Sequence, residues 1–191
     1  FFSLTNFAQQ TLPYKNKELP IEERVSDLIK RMTLEEKVAQ IRHIHSSNIY
    51  DDQKLNEDRL HLFCKGLSWG FVEGFYLTAE NCSANFYTIQ KYMVEKTRLG
   101  IPVFTIGESI HGLVQENSTI YPHNIALGST FNPELAYEKT KAIAGELQTA
   151  GIKQVLAPCV DVARDLRWGR IEECYGEDPY LCGIMGIAEV N

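Results

Sequence analysis

The sequence predicts an α/β fold built on a parallel sheet. Three observations carry that expectation. Apolar runs at 69–72, 101–106 and 154–158 alternate with segments of helical periodicity. The connections between them are short, as in βαβ units whose parallel strands are covered by helices. Polar residues gather where each run ends, at Glu73-Gly74, at Gly107-Glu108-Ser109-Ile110-His111-Gly112, and from Asp161 to Asp178. Sheets of this class place their binding sites there, beyond the carboxyl ends of the strands.

Taken in order, residues 1–20 read as a polar N-terminal arm with Pro13 and Pro20, extended along the surface. IEERVSDLIKRM then has Val25, Leu28, Ile29 and Met32 on one helical face. Thr33 and Glu36 form a capping box that opens a second helix, with Leu34, Val38 and Ile41 continuing the apolar stripe. His43 and His45 share a face if the segment is extended. With no third ligand of matching spacing, they read as solvated or hydrogen-bonded rather than metal-binding. Residues 46–58 read as loop, 58–65 as a short helix and 69–72 as a strand ending at Glu73-Gly74. A helix follows over 81–98, where Phe86, Ile89 and Met93 recur at three and four, and Gly100 stops it. IPVFTI is the next buried strand. Asn132-Pro133 opens a helix that Gly151 ends, and QVLAP is the strand after it. Asp178-Pro179 caps a last helix.

Composition narrows the class. With 44% hydrophobic residues the chain can bury a sizeable core. A net charge of −6 argues against nucleic acid or an anionic membrane as partner. No apolar run approaches the roughly 18 residues of a membrane span. The opening FFSLTNFAQQ lacks the basic and apolar regions of an intact signal peptide, although one already removed is compatible with it. Five cysteines without a CxxC pair indicate neither zinc nor a full disulfide framework, and they read as buried or partly buried free thiols. Asn81-Cys82-Ser83 and Asn117-Ser118-Thr119 are sequons that matter only in a eukaryotic secretory setting. No cofactor or metal is indicated.

The stretch Asp161 to Asp178 is the densest polar segment, with Arg164, Asp165, Arg167, Trp168, Arg170, Glu172 and Glu173. Carboxylates accept and guanidinium groups donate in a fixed fork, so together they can clasp vicinal hydroxyls, with Trp168 as an apolar face for a sugar ring. Phosphate fits less well, because no glycine-rich phosphate loop is present and the neighbouring acids repel it. The alternative is that Arg170 and Glu173, three apart, simply pair to hold the loop.

RDLRWGRIEECYGEDPYL resembles the RDPRWGRxxExYGEDPxL string of glycoside hydrolase family 3. TRLGIPVFTIGESIHG is similar to that family's RLGIPxxxxxDxxHG strand and loop, and LPIEERVSDLIKRMTLEEKVAQI to its N-terminal helices. The resemblance runs over residues 14–191. It implies a (β/α)8 TIM-type barrel, of which residues 21–191 are the N-terminal portion, incomplete in this chain; a whole barrel takes about 250 residues. It also implies a retaining β-glycosidase acting from the non-reducing end. By position, Arg170 matches the arginine that holds sugar hydroxyls in the −1 subsite, and Glu173 matches the acid that braces it. Glu108 stands where β-glucosidases of the family carry aspartate, which grips the hydroxyls at C4 and C6. The longer glutamate favours a pentose without a C6 group, hence a β-xylosidase over a β-glucosidase. Arg164, Asp165 and Asp161 read as loop bracing, and His111 as structural.

The resemblance further places the aspartate nucleophile, a Lys-His pair and the acid/base beyond Asn191, so the chain alone is expected to be inactive and to need the remainder of its catalytic domain. Expected partners are therefore an oligosaccharide or aryl glycoside and that remainder. N-acetyl-β-glucosaminidases of the family lack the RWGRxxExYGED string and rank low. A phosphate-binding barrel enzyme would need a glycine-rich loop beyond Asn191. From another class, a non-catalytic sugar-binding half-barrel or scaffold would be soluble and monomeric by itself. A periplasmic or secreted location fits a degrader of plant polysaccharide, whereas the unpaired cysteines fit a reducing cytoplasm.

Overall fold

The computed structural model describes residues 12–52, 54–73 and 78–191. The first part of the expected arm, 1–11, and Gly74 lie outside them. The rest of the arm is less extended than expected. Pro13–Lys15 form a 3-10 turn that buries Tyr14, whose hydroxyl donates to the Leu99 carbonyl at 2.8 Å.

Helices α1 (Ile21–Arg31) and α2 (Leu34–Gln40) follow in series. Thr33 Oγ1 accepts from the Glu36 N–H and Glu36 Oε2 accepts from the Thr33 N–H, closing the capping box. Arg98 then reaches the same Glu36 carboxylate, with Nε to Oε1 at 2.9 Å, and also donates to the Arg31 carbonyl. The arginine of TRLGIP is therefore a clamp across the junction of α1 and α2. The apolar stripe on these helices is only partly covered: Leu28 and Met32 are half-buried, whereas Val25, Ile29, Leu34, Val38 and Ile41 are exposed.

A four-stranded parallel sheet is the scaffold. Its strands are β1 (His43–Ile44), β4 (Phe71–Glu73), β5 (Phe104–Gly107) and β6 (Gln154–Val155), hydrogen-bonded in that order. Between β1 and β4 the segment read as loop, 46–58, contains a short helix α3 (Ser46–Ile49) and an antiparallel pair β2 (Tyr50–Asp51) with β3 (Lys54–Leu55), and the short helix expected over 58–65 is α4 (Glu57–Cys64). Helix α5 (Ala79–Lys96) links β4 to β5. Helices α6 (Asn124–Gly128) and α7 (Pro133–Ala150) link β5 to β6, and α8 (Pro179–Val190) follows. The cap signals sit where the sequence placed them: Asn132 accepts from the Leu135 N–H, Gly151 is left-handed at φ 75°, and Asp178 accepts from the Tyr180 N–H.

Registered partners in a parallel pair share a face of the sheet. Val72 and Thr105 face the helices, in a core with Ile44, Phe86, Ile89 and Met93. Phe71, Glu73, Phe104 and Ile106 face the other way, the Phe71 and Phe104 rings stacking at 5.9 Å. Phe104 is 58% exposed on that face. It is the inner face of a barrel that four strands do not close, with β1 and β6 each unpaired on one side among the described residues.

Candidate functional site

At the carboxyl end of β4, Glu73 is 4% exposed. A buried carboxylate needs partners, and Glu73 takes them from the end of β1. The His45 ring nitrogen Nε2 lies 2.9 Å from Oε1, that of His43 lies 3.8 Å from Oε2, and the Ser46 N–H donates at 3.2 Å. Both histidines are thus tied to one acid from a different strand. No group of three or more His, Cys, Asp or Glu among the described residues is arranged to hold a metal.

Glu108 follows β5 directly and is half-buried. Its carbonyl accepts from the Val114 N–H at 3.0 Å, folding the Gly107–Gly112 turn back on itself. Burial pushes the Glu108 carboxyl up from the usual glutamate value. The Arg170 guanidinium pulls it down, and the Glu173 and Glu73 carboxylates add to the rise. Side chains from three regions of the rim therefore act on one another electrostatically: Glu73 from β4, Glu108 from β5, and the pair Arg170 and Glu173 from the loop after β6.

That loop is built to present Arg170. The Ala163 N–H donates to the Gly176 carbonyl at 2.9 Å and closes its base, and Gly176 sits at φ 138°, a backbone region that favours glycine. Gly128 of α6 lets Tyr175 pass closely; a Cβ at 128 would stand 2.0 Å from the Tyr175 carbonyl oxygen. A short 3-10 turn, Ile171–Glu173, brings Glu173 beneath Arg170. Arg170 Nε donates to both Glu173 oxygens at 2.9 Å and Nη2 adds a further bond to Oε2. This hydrogen bonding raises the guanidinium pKa still further, so the charge is permanent. The Arg170 side chain is 56% exposed and that of Glu173 18%, so the arginine is held from below and open above.

Residues 33–191 match the profile described as "Glycosyl hydrolase family 3 N terminal domain". The chain belongs to glycosyl hydrolase family 3. A beta-xylosidase of Formosa agariphila is 43% identical over 100 residues, spanning 49% of this chain and 14% of that protein. The periplasmic beta-glucosidase of Salmonella typhimurium is 32% identical over 167 residues, spanning 87% of this chain and 20% of its own length. The solved structure of a beta-glucosidase from Erythrobacter marinus superposes with a TM-score of 0.81 at 27% identity, over 95% of this chain and 24% of that one. The chain thus corresponds to a quarter or less of the length of each.

The remaining predicted residues of this family 3 chain divide between bracing and exposure. Asp165 accepts from Arg167 Nε at 3.0 Å and from Nη2 at 2.6 Å, and its Oδ1 also caps the Arg167 N–H; that arginine lowers the Asp165 pKa. Arg164 is exposed and its backbone N–H makes a tight turn to Val162, while Trp168 lies 38% exposed on the loop. His111 is engaged by the segment that precedes α6: its Nδ1 meets the Tyr121 carbonyl at 3.3 Å and its ring packs on His123 at 3.9 Å. Sequence reasoning missed one feature entirely. Lys139 of α7 and Glu189 of α8 form a buried ion pair, and Lys139 Nζ also donates to Asn124 Oδ1 at 2.7 Å. Tyr175 is buried beside it, its phenol pKa raised by burial and by the Glu189 charge. The one local signal was an acid at 189 in an otherwise apolar helix.

Proposed function

We propose that the full-length protein hydrolyses terminal non-reducing β-linked sugars by retaining double displacement, with this chain supplying part of the −1 subsite. The observation that carries the reading is that Arg170, fixed by Glu173, acts electrostatically on the half-buried Glu108 from a different strand end. The fork offers donors and the carboxylate offers acceptors, which suits adjacent hydroxyls of one pyranose. A sugar seated between them would be oriented for attack by a nucleophilic carboxylate, with a second carboxyl as acid/base, both contributed by chain outside these residues. The longer Glu108 favours a xylose-type ring over a glucose-type ring, in keeping with the beta-xylosidase name among the relatives. An oligosaccharide or an aryl glycoside is the substrate. The remainder of the catalytic domain closes the barrel against β1 and β6 and covers Phe104.

Arg170→Ala and Arg170→Lys in the full-length enzyme test the assignment. Both are expected to lower kcat/KM by about a hundredfold or more while leaving the thermal midpoint unchanged. Lysine fails because it lacks the two-pronged geometry. A variant with near-normal kcat/KM would remove Arg170 from the subsite.

A further inference from the structure

Three of the five cysteines lie together around the Arg170 loop. Cys159 and Cys174 stand at its two ends, with their sulfur atoms 3.9 Å apart. Cys182, on α8, is turned to the carbonyls of Asp161 at 3.7 Å and Gly176 at 3.5 Å. Cys174 is fully buried and also meets the Arg170 carbonyl at 3.6 Å, whereas Cys159 is partly exposed and donates to Asp161 Oδ2 at 3.2 Å. A disulfide needs its sulfurs at about 2.05 Å with the β-carbons about 3.8 Å apart. Two thiols already in contact are the pair best placed to form that bond, and the partly exposed one gives an oxidant access.

We propose that Cys159 and Cys174 are a disulfide-forming pair that staples the loop carrying Arg170 and Glu173. The oxidant is a low-molecular-weight disulfide such as oxidised glutathione. The Cys159 thiolate attacks one of its sulfurs, forming a mixed disulfide and releasing one thiolate. The Cys174 thiolate then attacks the Cys159 sulfur and releases the second. Two protein S–H groups and one small disulfide become one protein disulfide and two small thiols, with two electrons passing from protein to reagent. Burial, followed by the bond to Asp161, pushes the Cys159 thiol up to about 12, and burial raises Cys174 as well. Exchange is therefore slow at neutral pH and faster in mild alkali, since the thiolate is the nucleophile.

The staple closes a loop of about fifteen residues, a length at which cross-linking restricts the open chain substantially. The enclosed segment is exposed and rich in arginine, with Leu166 at 84% and the Arg167 side chain at 90% exposure. Holding both ends suppresses the local opening that a protease needs. The bond is independent of which sugar the enzyme takes, so its test stands apart from that of the proposed function.

The experiment treats the full-length protein with oxidised glutathione at about pH 8.5, alkylates the remaining thiols after unfolding, and maps the peptides by mass spectrometry. The expected product joins Cys159 to Cys174, leaves Cys64, Cys82 and Cys182 alkylated, and reverts with dithiothreitol. Trypsin cleavage at Arg164, Arg167 and Arg170 slows by about threefold or more in the oxidised protein. Cys159→Ser shows neither the link nor the protection. Recovery of Cys159 and Cys174 as alkylated thiols after treatment, or a link from either to Cys182 instead, overturns the proposal.

Discussion

Glu173 holds the Arg170 guanidinium from one side, both carboxylate oxygens meeting Nε at 2.9 Å. The two residues were expected either to clasp a sugar or to pair and brace the loop. The geometry makes these compatible, because the pair uses Nε and Nη2 and leaves the rest of an exposed fork available. A brace that acts through Arg170 has a recognisable signature. Glu173→Ala should lower kcat/KM by about tenfold, less than Arg170→Ala does, and adding Glu173→Ala to Arg170→Ala should cost nothing more. Steady-state kinetics on the two single variants and the double variant check this; fully additive losses would mean that Glu173 has a role of its own.

The Glu108 carboxyl gives the site a pH dependence. Burial is the largest influence and raises its pKa above the usual 4.5, against the lowering by Arg170. A carboxyl whose folded pKa lies above its unfolded value stabilises the fold in its protonated form. That contribution is present below the unfolded pKa and is lost as pH rises through the folded one. Sugar binding in the proposed subsite would run the opposite way, because the hydroxyls need the carboxylate as acceptor. Calorimetric titration of the full-length enzyme with xylose between about pH 4 and pH 7 should therefore show affinity falling as pH drops below a midpoint above 4.5. Glu108→Gln should bind more weakly throughout and lose that acid limb.

The proposed role of Glu108 makes its side-chain length the determinant of sugar preference. Shortening Glu108 to aspartate withdraws the carboxylate by one methylene and opens the space that a C6 hydroxymethyl occupies. The ratio of kcat/KM for an aryl β-xyloside to that for an aryl β-glucoside should fall by about tenfold in Glu108→Asp, near the low end of what one methylene discriminates. An unchanged ratio would place the selectivity on residues outside this chain.

How much of this was legible depended on whether the signal was local. Thr33 with Glu36, Asn132 with Pro133 and Asp178 with Pro179 each satisfy helix-end amides within three residues, so the caps could be read directly. The strand after Gly100 was placed three residues early: the ladder begins at Phe104 because Pro102 carries no amide hydrogen and the Gln90 side chain takes both the N–H and the carbonyl of Val103. The two-residue strand His43–Ile44 is too short for alternation to register, and it is fixed by pairing with Phe71 and Val72. Arg170 and Glu173 lie three apart and their pairing was anticipated. The tie between Glu73 and His45, twenty-eight residues apart, comes from strand order, which no local spacing encodes.

The buried pair of Lys139 and Glu189 is the feature most hidden in the sequence, and it has the largest expected effect on stability. Lys139 lies in a helix with Lys141, yet it is buried among Asn124, the Ile110 carbonyl and Glu189. Removing one member leaves a buried charge without its counterion, which costs about 3–5 kcal/mol, whereas replacing both with apolar residues of similar volume is close to neutral. Lys139→Met should therefore lower the stability of the catalytic domain by about that much, and the double variant Lys139→Met with Glu189→Leu should recover most of the loss. Denaturant unfolding of the full-length protein, followed through the catalytic domain, measures both. Because α7 and α8 meet at this pair and α8 begins directly after the Arg170 loop, the single variant should also loosen that loop. Faster trypsin cleavage at Arg164 and Arg167 in Lys139→Met, reversed in the double variant, would tie the buried pair to the site. A loss under about 1 kcal/mol in Lys139→Met would instead show that apolar packing around Met185 and Tyr175 anchors α8 without it.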